Sequence, residues 1–215
     1  FKTFGAVILR ACVPQGACDG LMDFFSTHKA SFKAQLGNMR NYEGSRCAMT
    51  SAAWWQCSSM LEVLQNNAAL DLVECLLPDP WRRYHVLKLG GDCVEAHCEE
   101  PQEIHSDGCY PRDLQYWWNH DTGIFEKHGQ TECPALGVSV APHDIHVDQG
   151  PLRITGWDHH ARWAQNVGWT PPSLEDERQG SFETVRVGMP AGWMVLRDIR
   201  LYHAGSANTT NSDRI

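Results

Sequence analysis

The stretch that decides the fold is "GWMVLRDIRLYHAGSANTTNSDRI" (192–215). A strand-like run over 192–200 leads into a polar segment carrying His203, Gly205, Asn208 and Arg214, with the arginine eleven residues beyond the histidine. Far upstream, "EIHSDGCY" (103–110) supplies His105 and Asp107. The two phrases raise one question: whether His105, Asp107 and His203 form a single metal site.

Outward from these phrases, the chain divides in character. "FGAVILRACV" (4–13) reads as a short strand, and "QGACDGLMDFFSTHKASFKAQL" (15–36) has helical spacing at Leu21, Phe24, Phe25 and His28. Two further helical segments follow at 58–67 and 68–77, the second ended by Pro78 and Pro80. From 84 onward short strand-like runs dominate: 84–91, 93–99, 136–142, 151–157, 182–187 and 192–200, punctuated by Gly, Pro and Asp. Helices over 15–77 and strands mostly over 84–215 predict an α+β chain, mainly β, built as an antiparallel barrel or jelly roll with N-terminal supporting helices. At 215 residues, one domain spanning 1–215 is the simplest organisation. The polar stretch 158–181 reads as a long loop of the kind that often forms a lid.

Composition excludes several functions. The net charge of −8 and the lack of any Lys/Arg run argue against a nucleic-acid partner, which needs a basic surface. No apolar stretch approaches membrane-spanning length. The nine Cys are scattered and none forms a C-x-x-C pair, which disfavours zinc ribbons and thioredoxin-type sites and favours reduced, buried thiols in an intracellular protein. Nine Trp are too many to be wholly buried, so some are expected to line a cleft.

The chemistry of the site starts from spacing. Residues i and i+2 of a strand share a face, so His105 and Asp107 can offer an imidazole and a carboxylate side by side. A second imidazole from another strand would complete a two-His, one-carboxylate triad, whose three open positions suit non-haem Fe(II). His-x-Asp alone is weak, and the chain holds a rival in "HVDQG", with His146 and Asp148 at the same spacing.

The C-terminal phrase resembles the signature of the phytanoyl-CoA dioxygenase family, in which a Gly-led strand runs into His-x-Gly-x-x-Asn followed by an Arg eleven residues past the His. Gly192, His203, Gly205, Asn208 and Arg214 match in register. "GGDCVEAHCEEPQEIHSDG" is similar to the family's strand ending in His-x-Asp, and "FGAVILRACVP" to its opening strand. "LGVSVAPHDIHVDQGPLRITGWDHH" is similar to a strand, turn and "GPLR" strand of the family, which puts His146 and Asp148 in a turn away from the metal. Where the family often has Pro-Gly-Ser-His, this chain has Thr155 to His159.

The resemblance implies a double-stranded β-helix using Fe(II), 2-oxoglutarate as cosubstrate and O2, with His105, Asp107 and His203 holding the iron. It implies that Arg214 grips the far carboxylate of 2-oxoglutarate, a task for which a planar guanidinium is suited. Lys88 is a weaker candidate for the same cosubstrate. The implied reaction converts 2-oxoglutarate to succinate and CO2 while hydroxylating a small organic molecule. Relatives that halogenate lack the carboxylate that Asp107 supplies here. Tyr110, Tyr116, Trp117 and Trp118 follow the motif where a pocket wall would stand, although a Trp pair is more often core. His120, His128, His143, His159 and His160 read as surface or hydrogen-bonded side chains. Two other functions fit the residues: a cupin-like metal-binding barrel without 2-oxoglutarate chemistry, and a Trp-rich binding module.

Overall fold

A computed structural model of the chain describes residues 1, 4–34, 46–48, 52–77, 86, 89–105, 107, 116–119, 124–127, 135–155, 173–180, 183–199 and 201–215. In chain order these form β1 (Ala6–Leu9), α1 (Gln15–Ala34), β2 (Arg46–Ala48), a 3-10 turn (Ala52–Gln56), α2 (Ser58–Leu64), α3 (Asn67–Leu76) and β3 (Asp92–Val94). Then come β4 (Tyr116–Asn119), β5 (Ile124–Lys127), β6 (Leu136–Val140), β7 (Leu152–Thr155), α4 (Leu174–Arg178), β8 (Thr184–Val187), β9 (Met194–Asp198) and β10 (His203–Gly205).

Every strand pair is antiparallel. One sheet has the order β1-β9-β6, a second β10-β7-β8, and β2-β3 and β4-β5 make two-stranded pairs. The alternation of β9 explains how the layers stack. Met194 and Leu196 pack with Cys18, Leu21 and Phe25 of α1, while Val195 packs toward the second sheet with Ala141, Ile145, Val187 and Met189. Both faces of β9 are therefore covered, and its five residues are all buried. The expected α+β arrangement with helices backing antiparallel strands is what the chain adopts.

The helices dock by local chemistry. Pro14 precedes α1, where its missing N–H costs nothing, and its carbonyl accepts from the Ala17 and Cys18 amides. Asn66 caps α3 by accepting from the Ala69 amide at 3.1 Å, while its own amide donates to the Cys12 carbonyl at 2.7 Å. That second bond pins α3 to the segment leaving β1. No helix among the described residues is long and apolar enough to cross a membrane.

Two expectations need correction. The stretch 158–181 is not loop throughout: α4 lies within it, closed by a capping box in which Ser173 and Asp176 exchange bonds. Within 93–99 the strand ends at Val94, because the chain turns at Glu95–Cys98; of 84–91 only 86 and 89–91 lie among the described residues, and these carry no strand. Tyr116–Asn119 forms β4, which pairs antiparallel with β5. Lys88, Tyr110, His120, His128, His159 and His160 lie outside the described residues.

Candidate metal centre

His105 and His203 meet because their backbones pair. The His105 amide donates to the His203 carbonyl at 2.9 Å and the His203 amide returns the bond at 2.8 Å. Residues exchanging both bonds point their side chains to one face, so the rings stand with centroids 4.6 Å apart. β10 carries this pair onward: His203 opposes Ile154 of β7, which opposes Val185 of β8.

The two imidazoles share one tautomer for one reason. His105 Nδ1 lies 2.8 Å from the Glu103 carbonyl, and His203 Nδ1 lies 2.8 Å from the Leu201 carbonyl. A carbonyl only accepts, so each Nδ1 carries a proton and each Nε2 is the nitrogen left to meet a ligand. This second bond on the far nitrogen is the arrangement found behind metal-ligating histidines. Asp107 lies in a bend two residues after the bridge, with Oδ2 3.5 Å from His203 Nε2. One ligand atom from each of His105, Asp107 and His203 lies within 4.8 Å of the others, the only such group of three His, Cys, Asp or Glu among the described residues. Two imidazoles and a carboxylate converging in this way fit a divalent ion.

The electrostatics support that state. Burial and then the nearby Arg197 guanidinium push the His203 imidazole down to about 3, so it is neutral and able to bind metal at physiological pH. For Asp107, desolvation pushes the carboxyl upward, but Arg197, His203 and His105 outweigh it and hold the group below its ordinary range. Arg197 of β9 forms an ion pair with Asp107, and sequence reading had not singled it out. No local pattern announces it: β9 reads as a strand, and only the stacking of sheets aims residue 197 at residue 107. His203 is buried, whereas the Asp107 side chain is 46% exposed, so the centre opens to solvent at its carboxylate.

The rival triplet sits elsewhere. His146 and Asp148 are exposed in the turn between Ile145 and Gln149, and the Asp148 carbonyl accepts from the Thr209 amide.

Arg214 is bridged to Val94 of β3 and shares that residue's face, with its side chain 11% exposed. Its guanidinium donates to the Gly150 carbonyl at 3.0 Å, the Asp92 carbonyl at 2.9 Å and Asp92 Oδ2 at 2.7 Å. An arginine has five N–H donors, so one hydrogen on each terminal nitrogen stays uncommitted. Asp92 was not foreseen as its partner. The remaining motif residues are structural. Asn208 is fully buried and its amide donates to the carbonyls of Val94, Glu95 and Ser212. Gly205 leaves no room for a Cβ, which would lie 2.5 Å from Arg46 Nη1 and 2.8 Å from Gln102 Oε1.

A sequence model described as phytanoyl-CoA dioxygenase (PhyH) matches residues 95–215, more than half of the chain. No protein of curated function matches by sequence. Solved structures match in fold. HygX from Streptomyces hygroscopicus, with nickel and 2-oxoglutarate bound, superposes with a TM-score of 0.62 at 13% identity, over 100% of this chain and 81% of its own. The carbocyclase SnoK from nogalamycin biosynthesis gives 0.61 at 17% identity, over 98% and 76%. The epimerase SnoN from the same biosynthesis gives 0.60 at 16%, over 98% and 74%. At such identities these likenesses concern the fold alone.

Proposed function

The chain belongs to the phytanoyl-CoA dioxygenase family, and from that premise we propose that it is an Fe(II)- and 2-oxoglutarate-dependent oxygenase that hydroxylates a small organic molecule. The family's cofactors are iron(II), 2-oxoglutarate and O2. Bound together, they supply an oxidant for a C–H bond, with succinate and CO2 as coproducts. His105, Asp107 and His203 are the metal ligands in this reading. The observation that carries it is the matched pair of Nδ1–carbonyl bonds behind two histidines that converge with Asp107.

The chain's own residues would divide the work. His105 and His203 would give two nitrogen donors on a two-strand bridge. Arg197 would hold Asp107 in place through its ion pair with Oδ2, and two histidines and one carboxylate would leave positions for cosubstrate and O2. Burial of His203 keeps water from the inner side, while the opening at Asp107 admits substrate. Arg214 would take the distal carboxylate with its two uncommitted N–H groups. Hydroxylation is preferred because Asp107 keeps the carboxylate that halogenating relatives lack; SnoK and SnoN mark ring closure and epimerisation as other outcomes within the same fold.

The strand order supports a double-stranded β-helix formed by one domain over 1–215. The 102–105 segment, β10, β7 and β8 would form one sheet, and β3, the Arg214 bridge, β6 and β9 the other. A second reading, a metal-binding barrel without 2-oxoglutarate chemistry, is favoured by one observation: Asp92 already occupies Arg214. Metal analysis combined with a succinate-release assay decides between them. Iron retention with 2-oxoglutarate-dependent succinate supports the oxygenase; iron retention without succinate leaves the barrel.

A further inference from the structure

Arg197 is the buried cation that the metal reading does not exhaust. It is 7% exposed, on the face of β9 turned toward the second sheet. One terminal nitrogen donates to Asp107, while Nε and Nη1 are buried without a hydrogen-bond partner. Buried guanidinium N–H groups left without acceptors are costly, so their persistence beside a site calls for an occupant.

Three features of the surroundings narrow that occupant. First, Gly137 of β6 lies directly across from Arg197, and a Cβ there would stand 3.0 Å from the guanidinium carbon. The glycine makes room for the guanidinium to lie across β6. Second, charge is unbalanced. A divalent ion at His105, Asp107 and His203 meets one carboxylate, and that carboxylate is also the counter-ion of Arg197. Metal binding would leave excess positive charge at the open positions until anions arrive, the 2-oxoglutarate dianion among them. Third, the two arginines stand at different walls. Arg214 is tied to Asp92 and Gly150, whereas Arg197 adjoins Asp107, the ligand facing solvent.

We propose that Arg197 binds an anionic group of the organic substrate, a carboxylate or phosphate, through Nε and Nη1, and so selects acids over neutral or cationic molecules. This rests on the metal-centre reading above. A guanidinium presents a planar fork to such an oxyanion, which gives orientation as well as charge.

The test uses the full chain loaded with Zn2+ and 2-oxoglutarate, and follows the Arg197 Nε–H resonance by NMR, assigned by its absence in Arg197→Lys. Acetate and inorganic phosphate are titrated at constant ionic strength, with acetamide as the neutral control. The expected result is a saturable shift with both anions and none with acetamide. Read at the Gly137 amide, Arg197→Gln should weaken anion binding by about ten- to hundred-fold, with Arg197→Lys falling between. A resonance unmoved by either anion overturns the proposal. So does one that moves on 2-oxoglutarate addition and then ignores both anions, because the cosubstrate would be the occupant. Failure of Zn2+ to shift the His105 and His203 ring signals would instead sink the metal centre, and this inference with it; Zn2+ binding with a silent Arg197 sinks the inference alone.

Discussion

His105 and His203 exchange both of their backbone hydrogen bonds, at 2.9 and 2.8 Å, so the two imidazoles are set by strand pairing and not by side-chain contacts. A site held in this way keeps its geometry when one side chain is changed, which makes single substitutions informative.

Asp107 and Asp148 stand in identical His-x-Asp triplets but in different surroundings, one at the bridge and one in an exposed turn. Asp107→Ala should lower iron(II) affinity by more than the roughly 10–100-fold that loss of an outer partner causes. Asp148→Ala should leave it nearly unchanged. Anaerobic isothermal titration checks the order, and the reverse order would place the metal at the wrong triplet.

Arg214 tests the cosubstrate apart from the metal. Loss of a charge-assisted bidentate partner costs about 1.5–3 kcal/mol, roughly ten- to hundred-fold in affinity. Arg214→Ala and Arg214→Lys should raise the 2-oxoglutarate requirement by that factor while iron binding survives. Asp92→Asn, which removes the competing charge, should lower it. Succinate formation against 2-oxoglutarate concentration is the measurement. An unchanged requirement in Arg214→Ala would favour the barrel without this chemistry.

Halide should not enter the product. With Asp107 in place as a ligand, chloride or bromide supplied to the unmodified enzyme is expected to give no halogenated compound from any accepted substrate. Mass spectrometry of the products decides this directly.

Stability of the metal-free protein should fall in acid with a particular window. His203 is pushed down to about 3 by burial and by Arg197, against an ordinary 6.5. Between those values the unfolded chain binds a proton that the folded chain does not, so stability drops as pH falls from about 6.5 toward 3. Asp107, also held low, adds a loss below the ordinary carboxylate range. Urea midpoints at stepped pH would show the decline, and a flat profile down to pH 4 would contradict the buried, neutral imidazole.

Gly205→Ala should destabilise by about 1–3 kcal/mol, the usual cost of forcing atoms into a packed site. The added methyl meets Arg46 Nη1 and the Gln102 side chain, both buried. Gly16→Ala is the control: nothing lies within 4 Å of its Cβ position, and it sits in α1. It should be neutral or stabilising by up to about 1 kcal/mol. Chemical denaturation compares the two.

Local periodicity made much of this protein legible. Leu21 and Phe25 at helical spacing mark the face of α1 that packs on β9, and the Gly-punctuated runs mark β6 to β9. The spacing of His105 to Asp107, and of His203 to Gly205, Asn208 and Arg214, named the candidate site, because those residues are short-range neighbours whose order survives folding. The partners were not legible. Arg197 reaches Asp107, Asp92 holds Arg214, and Gly137 clears Arg197 only because strands distant in sequence are brought into register. A residue's chemical type is written in the chain, but which charge it faces depends on sheet stacking, and a one-residue slip in β9 would turn Arg197 toward the helices and Leu196 toward Asp107.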